Sequence, residues 1–407
     1  MDTTLPMALL GGLSPAAFMR RHWQKKPLLV RRTMADALAG MNRRRLLALA
    51  ARDDIESRLV VKAGGRWSVR HGPVPRRAIP ARARPDWTLL VQGVDLHDDA
   101  VHRLLGRFRF VGDARLDDAM LSLASDGGGV GPHVDSYDVF LLQISGRRRW
   151  RIGQVPDAKW RDDVPLKMLA EFTPQSEWVL DPGDMLYLPP GWAHDGIAVG
   201  ECITCSIGFR VPDAVPLAAE VIQRVAESAM EVAEAKPPRL YSDRNGTATQ
   251  VPARIAPALQ GFVDVAIARM LADARLRRRA LGEVLSEPKP GTWFERDEAA
   301  AVDAGVVLDR RTRMLYDDAH VFVNGESFRA AGRDAELVRR LADERRLDAS
   351  GVSRLGTGAR DQLRRWAEAG WCKAQGIDRE QGVEAMKSGH GGPTQGPRQG
   401  EPGEVKT

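Results

Sequence analysis

The sequence predicts an α+β protein whose first half is a closed or sandwiched antiparallel β structure, followed by a helical region and a winged-helix-like module. Three observations support this fold class. Between residues 87 and 209, short apolar runs alternate with Gly, Pro and Asp, which is typical of antiparallel sandwiches and barrels. After Pro212 the apolar residues take helical spacing. Residues 287–385 then combine helical runs with a strong hairpin turn, Asn324-Gly325.

The N-terminal part begins with a helix and continues into strands. Ser14 is placed to cap an amphipathic helix, Pro27 ends that helix, and residues 28–30 begin a strand. Residues 35–57 are helical by composition. The strands that follow are expected at 87–94, 119–125, 137–144, 147–153, 178–180, 185–189 and 202–209.

The C-terminal half divides into three further parts, so that the predicted domains are 1–212, 213–285, 286–385 and 386–407. In the second part, Leu217, Val221, Val225 and Met230 recur near helical spacing. An apolar helical stripe between two other domains predicts a homodimer interface.

The third part has two strand-like runs around the Asn324-Gly325 turn and helices expected at 333–346 and 359–371. This combination resembles a winged helix. Residues 386–407 are rich in Gly, Pro and Gln with almost nothing apolar, which predicts a disordered tail.

Composition limits the class of protein. The chain has 407 residues, 43% of them hydrophobic, and only three cysteines, so a globular protein without a disulfide scaffold is expected. No apolar run is long enough to span a membrane, and no basic region precedes the short apolar run at the N-terminus, so a cytoplasmic protein is expected. The net charge of +6 would suit a nucleic acid, but a solvated arginine-rich surface explains it equally well.

A metal site is predicted by three residues. Residues i and i+2 of a strand point to the same face, so His133 and Asp135 project together, as two adjacent ligands of one metal require. His194, at the end of the strand-like segment 185–194, is the expected third ligand. Two histidines and one carboxylate form the facial triad of non-haem Fe(II) oxygenases, which leaves positions open for a cosubstrate and O₂. Zinc bound by a similar ligand set is the alternative.

A 2-oxo acid cosubstrate would bind iron at one end and would need a buried cation for its far carboxylate. Arg148 shares a strand face with Trp150, whereas Arg147 and Arg149 share the opposite face. Because the face with Trp150 should point inward, Arg148 is the expected partner of the 2-oxoglutarate carboxylate.

Hydroxyl donors should complete the cosubstrate pocket. Ser122 and Ser206 both alternate with apolar residues in predicted strands, and both are candidates. Each could equally be a hydroxyl that is satisfied within the core.

With these residues in place, the sequence resembles the JmjC-type ribosomal oxygenases, and most closely their bacterial YcfD-type arginine hydroxylases. The resemblance spans about residues 15–210, whereas the C-terminal part is similar only in layout. The matching stretches are FMRRHWQKKPLLV, DWTLLVQGVD, RFVGDARLDDAMLS, GGGVGPHVDSYDVFLLQISGRRRW, LYLPPGWAHDG and SIGFR.

The resemblance implies a double-stranded β-helix, a jelly-roll barrel of the cupin type, with a helical dimerisation region and a winged helix after it. It implies iron ligation by His133, Asp135 and His194, and 2-oxoglutarate binding by Arg148 and Ser122. The implied reaction uses O₂ to hydroxylate Cβ of an arginine in a large-subunit ribosomal protein, L sixteen.

An arginine substrate needs acidic and aromatic partners near the iron. The local candidates are Asp117, Asp118 and Tyr137, of which Tyr137 shares the strand face of His133 and Asp135. These three are therefore the expected substrate-binding residues.

Other functions remain open on the sequence. One is a cupin-type metalloenzyme that uses no cosubstrate, although an inward Arg148 argues against it. Another is a non-enzymatic regulator that binds nucleic acid through its winged helix, although the complete triad argues against a vestigial barrel. A third is a JmjC hydroxylase that acts on a histidine of another protein or on tRNA.

Overall fold

The computed structural model describes residues 2–34, 37–234, 237, 239–297, 301–329 and 331–375. The tail expected at 386–407 lies outside these residues. The described chain folds as two compact units. One comprises residues 1–293 and 310–329, and the other comprises residues 294–309 and those after 329. The domain boundaries expected after residues 212 and 285 stay a prediction.

The helices and strands have the following bounds. The helices are α1 (Pro15–Arg21), α2 (Arg43–Ala50), α3 (Asp99–Gly106), α4 (Ala214–Glu234), α5 (Pro257–Ala272), α6 (Ala274–Ser286), α7 (Gly332–Glu344), α8 (Ala349–Ser353) and α9 (Thr357–Glu368). The strands are β1 (Leu28–Val30), β2 (Ser57–Ala63), β3 (Arg66–His71), β4 (Trp87–Val91), β5 (Leu116–Ala124), β6 (His133–Val134), β7 (Asp138–Gln154), β8 (Ser176–Leu180), β9 (Met185–Leu188), β10 (Trp192–Phe209), β11 (Gly305–Leu308), β12 (Met314–Tyr316), β13 (Val321–Val323), β14 (Glu326–Phe328), β15 (Arg346–Asp348) and β16 (Cys372–Ala374).

The first elements follow the sequence signals closely. The Ser14 hydroxyl accepts a hydrogen bond from the Ala17 N–H at 3.2 Å and so caps α1, and β1 follows where it was expected. The helix expected at 35–57 was too long. The described helix is only α2, which Asn42 caps, and Ser57 already begins β2. The hairpin of β2 and β3 and the helix α3 were not predicted.

Two long strands, β7 and β10, change their pairing partners along their length. Residues 139–142 of β7 pair with β9, whereas residues 148–152 pair with β8. Gly146 lies between these parts with a φ of +61°, a backbone conformation that favours glycine. The strands expected separately at 137–144 and 147–153 are therefore one bent strand.

The first ten strands form one hydrogen-bonded antiparallel sheet with the order β1-β9-β7-β10-β5-β4-β2-β3, in which β8 also pairs with β7 and β6 also pairs with β10. The expected jelly-roll class is confirmed. A closed barrel is not observed, because within the described residues the hydrogen-bonded order ends at β1 and β3.

The two faces of the larger sheet have different roles. On the outer face, Leu59, Leu89, Leu121 and Phe140 are buried in the main apolar core, together with Phe18 of α1. Burying each such side chain contributes about 1.5–3 kcal/mol. Because side chains alternate along a strand, the neighbouring residues point to the inner face, which is left free to line a site.

The helices α4, α5 and α6 leave apolar side chains uncovered. Val225 of α4 is buried within the chain, whereas Ile222 and Met230 are 50% and 67% exposed. In α5 no side chain is buried, and Val263 and Ile267 are among its exposed residues. The expected stripe on α4 is therefore divided between an intramolecular contact and an open surface.

The hairpin predicted at Asn324-Gly325 is confirmed. Both residues have positive φ, 52° and 89°, as a two-residue hairpin turn requires, and they join β13 to β14 in a sheet with β12. The other compact unit contains the sheet β15-β11-β16 with α7, α8 and α9. None of the described helices has the length and hydropathy needed to cross a membrane.

Candidate metal centre and cosubstrate pocket

The predicted ligands His133, Asp135 and His194 lie together where β6 pairs with β10. His133 in β6 is the register partner of His194 in β10, so both imidazoles extend from the same face. The Asp135 Oδ2 atom is 3.8 Å from the His133 Nε2 atom and 3.5 Å from the His194 Nε2 atom. One ligand atom from each residue falls within 4.8 Å of the other two, which is a spacing that one metal ion can bridge.

Hydrogen bonds to the backbone orient both imidazoles. The His133 Nδ1 atom is 2.9 Å from the Gly131 carbonyl oxygen, and the His194 Nδ1 atom is 3.0 Å from the Trp192 carbonyl oxygen. With Nδ1–H donating to a carbonyl, each ring presents a free Nε2 lone pair to the shared point. This arrangement is common for metal-ligating histidines, because it fixes both the tautomer and the ring orientation.

The electrostatics of the site favour neutral imidazole at His194. This side chain is only 3% exposed. Burial lowers the pKa of His194 to about 4, and the imidazole of His133 adds to this effect, whereas the carboxylate of Asp135 opposes it. A neutral imidazole is the form that binds a metal.

Arg148 points inward, as strand parity predicted. It is 5% exposed, whereas Arg147 is exposed and Arg149 is half-buried. Its Nη1 atom donates to the Ser122 hydroxyl at 3.2 Å, but its Nε and Nη2 atoms have no partner among the described residues. A buried guanidinium with two free donors is costly unless an anion binds it, so this position fits a carboxylate ligand.

A pocket of about 230 Å³ joins the histidines to Arg148. Ser122 and Ser206 line its floor on the inner face of the larger sheet, and Tyr137, which is partly exposed, lines it as well. Most of the residues that the sequence nominated therefore share one cavity, while their functional roles stay a prediction.

Asp117 and Asp118 do not line this pocket. The Lys289 ammonium is 3.3 Å from the Asp117 carboxylate and 2.9 Å from the Asp118 carboxylate, and Arg210 pairs with Asp117 at 3.0 Å. Asp118 also accepts a hydrogen bond from the Gly93 N–H, so both carboxylates are already neutralised from within the chain. Behind them, burial and the Asp118 charge raise the pKa of Asp95 to about 7.

Sequence reasoning missed two residues of the pocket. Thr88 and Arg58 line it from β4 and β2, and the Thr88 hydroxyl is buried without a hydrogen-bond partner among the described residues. Trp150 lies under Arg148, whose guanidinium carbon is 5.7 Å from the ring centroid. The alternation of Thr88 with Trp87 and Leu89 was visible, but only the pairing of β4 with β5, which sets Thr88 opposite Ala124, places it on the same sheet face as Ser122.

Two protein-family models match the chain. Residues 103–217 match the JmjC domain, and residues 269–373 match the ROXA-like winged helix. The JmjC match contains His133, Asp135, Arg148 and His194, which are the residues that the geometry brings together.

Curated proteins and solved structures agree with these matches. The chain is 32% identical to the ribosomal protein uL16 3-hydroxylase of Escherichia coli over 78% of its own length and 86% of that protein. It is 27% identical to a probable ribosomal oxygenase of Haemophilus influenzae over 88% and 96%. The structure of Escherichia coli YcfD in complex with cobalt and 2-oxoglutarate superposes with a TM-score of 0.73 at 28% identity, covering 89% of this chain and 99% of that one. The chain therefore belongs to the ribosomal oxygenases that combine a JmjC domain with a ROXA-like winged helix.

Proposed function

We propose that this protein is an Fe(II)- and 2-oxoglutarate-dependent oxygenase that hydroxylates a side chain of a ribosomal protein. His133, Asp135 and His194 hold the iron, and Arg148 with Ser122 holds the far carboxylate of 2-oxoglutarate. When bound, iron with 2-oxoglutarate and O₂ supplies the oxidation that inserts one oxygen atom into a C–H bond and releases succinate and CO₂.

One observation supports this proposal above the others. The two histidines of the triad and a buried guanidinium with two free donors line the same cavity, and the Asp135 carboxylate lies within 4.8 Å of both imidazoles. A metalloenzyme without a cosubstrate would have no use for an uncompensated cation there. A triad alone would fit zinc hydrolysis as well, so Arg148 is what favours a 2-oxo acid.

The chain's own residues position the reactants. The carbonyls of Gly131 and Trp192 fix the two imidazoles, and Arg148 sets the direction in which the cosubstrate extends from the metal. The apolar walls at Leu141 and Trp150 exclude water from the reacting face. Tyr137 is partly exposed beside the triad and is placed to contact an incoming side chain.

For the substrate, we propose Cβ of an arginine in uL16, the large-subunit protein L sixteen. This rests on the name of the Escherichia coli relative, of which the chain covers 86%. Tyr137 offers an aromatic face to a guanidinium. Asp117 and Asp118 could take part only if the substrate competes with Lys289 for them. Hydroxylation of a histidine in another ribosomal protein, or of tRNA, is the alternative.

The test compares ribosomal proteins from cells with and without the gene by mass spectrometry. We expect one large-subunit protein to lose the mass of one oxygen atom when the gene is deleted, and fragment ions to place that mass on an arginine. A mass change on a histidine would support the alternative substrate. Unchanged masses for all ribosomal proteins, together with a change in tRNA, would contradict the proposed substrate class.

We also propose that the protein is a cytoplasmic homodimer that pairs through α4 and α5. The exposed apolar side chains of Ile222, Met230, Val263 and Ile267 support this, because monomeric proteins rarely leave contiguous apolar surface uncovered. A symmetric partner is the commonest way to cover it.

A further inference from the structure

All charged residues of the segment 57–85 are positively charged. This segment forms the β2–β3 hairpin and its connection to β4. It contains seven arginines, one lysine and no acidic residue. The nearest acidic residues along the chain are Glu56 and Asp86, just outside its two ends. The basic residues are Arg58, Lys62, Arg66, Arg70, Arg76, Arg77, Arg82 and Arg84.

Most of these cations form no ion pair within the part of the chain that the structure describes. All except Arg58 are exposed. Arg58 lies 3.9 Å from Glu56, and Arg82 lies 3.2 Å from Glu201. The other six form no ion pair with any residue that the structure describes.

Four of the six lie in β3 and in the connection that follows it. In β3, Arg66 and Arg70 share a face, and Arg70 is the register partner of Leu59, which belongs to the main core. The connection after β3 packs onto that same core through Val74, Ala78 and Ile79, which flank Arg76 and Arg77. Arg66, Arg70, Arg76 and Arg77 are therefore exposed residues of one short stretch, 66–77, whose neighbours in the chain pack on the core.

Protection of an exposed edge explains only part of this pattern. The strand β3 is the last strand of its sheet, and charged residues on edge strands hinder pairing with other chains. One or two lysines are enough for that purpose. Six unpaired cations repel one another, and a polyanion that bridges them would relieve the repulsion.

We infer that this basic hairpin, residues 57–85, binds the phosphate backbone of a nucleic acid, with Arg66, Arg70, Arg76 and Arg77 as contacts. Guanidinium groups bind phosphate in a bidentate manner, which suits an arginine-rich surface better than a lysine-rich one. None of the exposed residues of this segment is a large apolar one, so an anionic membrane, which also needs inserted apolar side chains, fits less well. This surface lies outside the residues assigned to the metal and cosubstrate.

The experiment measures binding of the full chain to a fluorescently labelled single-stranded RNA of about 20 nucleotides, enough for more than one site of ordinary size. Fluorescence anisotropy is recorded over a range of salt concentrations. The test variants are Arg66→Gln/Arg70→Gln and Arg76→Gln/Arg77→Gln. The control is Arg20→Gln/Arg21→Gln, which removes the same charge from exposed, unpaired residues of α1. A circular dichroism melt of each variant reports folding.

We expect log K for the wild type to fall with log salt, and each test variant to flatten that slope by about 1.4. At about 0.1 M salt each test variant should bind about tenfold more weakly, while the control changes less than twofold. Equal weakening by the control variant would overturn the proposal, because the effect would then be one of net charge. Absence of RNA binding by the wild type at about 0.05 M salt, or binding only to vesicles of anionic lipid, would overturn it as well.

Discussion

Replacing Arg148 by alanine should remove the cosubstrate anchor without removing the metal site. The side chain is 5% exposed, and its one hydrogen bond to a side chain goes to Ser122. Folding alone therefore already removes most of this charge from water, so that little further desolvation of Arg148 is needed when a ligand binds. A carboxylate that arrives at the free Nε and Nη2 atoms gains the full benefit of a charge-assisted pair.

The magnitude follows from that geometry. Hydrogen bonds to a charged group contribute about 1.5–3 kcal/mol each. The alanine variant would also leave the cosubstrate carboxylate partly buried without a cation. Water that enters the vacated space recovers part of the loss. A net loss of about 1.5–4 kcal/mol corresponds to an increase of KM for 2-oxoglutarate by ten- to about a thousandfold.

The assay follows succinate formation as a function of 2-oxoglutarate concentration, with Arg147→Ala and Arg149→Ala as controls. Both controls keep Arg148 and change a neighbouring arginine that lies on the other strand face. We expect them to raise KM less than threefold. A similar rise in all three variants would refute the assignment of the inward arginine.

A binding measurement separates cosubstrate affinity from catalysis. Under anaerobic conditions with Fe(II), saturating 2-oxoglutarate should raise the melting temperature of the wild type, because a ligand at a hundred times its Kd stabilises the folded state by about 2.7 kcal/mol. At the same concentration Arg148→Ala should be stabilised by about 1.4 kcal/mol if its Kd rises tenfold, and by less than about 0.1 kcal/mol if it rises a thousandfold. A full thermal shift in that variant would show that the carboxylate is held elsewhere.

Three further predictions follow from the described residues. His133→Ala or Asp135→Ala should abolish 2-oxoglutarate turnover in the presence of Fe(II), and full activity of the wild type with Zn(II) in iron-free buffer would contradict the choice of iron. The pKa of Asp95 is raised to about 7 in the folded state, whereas in the unfolded state it is about 3.9. Between these two pH values Asp95 is therefore protonated in the folded state and ionised in the unfolded state. The stability of the wild type relative to Asp95→Asn should therefore fall as pH rises from about 4 to about 7, by at most about 4 kcal/mol; an equal stability difference in urea denaturation at pH 5 and pH 8 would refute this. Light scattering should give about 90 kDa for the wild type, twice the 44.8 kDa chain, and about 45 kDa for Ile222→Asp or Val263→Asp; a wild-type mass near 45 kDa at all concentrations would rule out the dimer.

Local patterns in the sequence predicted several of the elements and the strand faces of the candidate site residues. The alternation of side chains along a strand placed Arg148 inward and Arg147 outward, and it placed His133 and Asp135 on one side. These predictions succeed because the period of a strand is fixed by backbone geometry. Turn and cap signals at Asn324-Gly325 and Ser14 succeeded for the same local reason.

Predictions failed where structure depends on partners distant in the chain. The division of residues 137–153 into two strands was wrong. Residues on both sides of Gly146 pair with β10, and β9 and β8 pair with the first and second parts, so that β7 is one bent strand. The hairpin of β2 and β3 was missed, since its exposed, arginine-rich edge strand has little apolar alternation to reveal it.

The sequence by itself determined which residue types could bind a metal and which strand face each would occupy. Only the tertiary structure decided that the histidine pair, Arg148 and Ser122 share one cavity, and that Asp117 and Asp118 instead pair with Lys289. The difference is physical. A residue's own strand face depends on its neighbours in sequence, whereas the register between strands and the ion pairs between distant segments depend on how the whole chain packs.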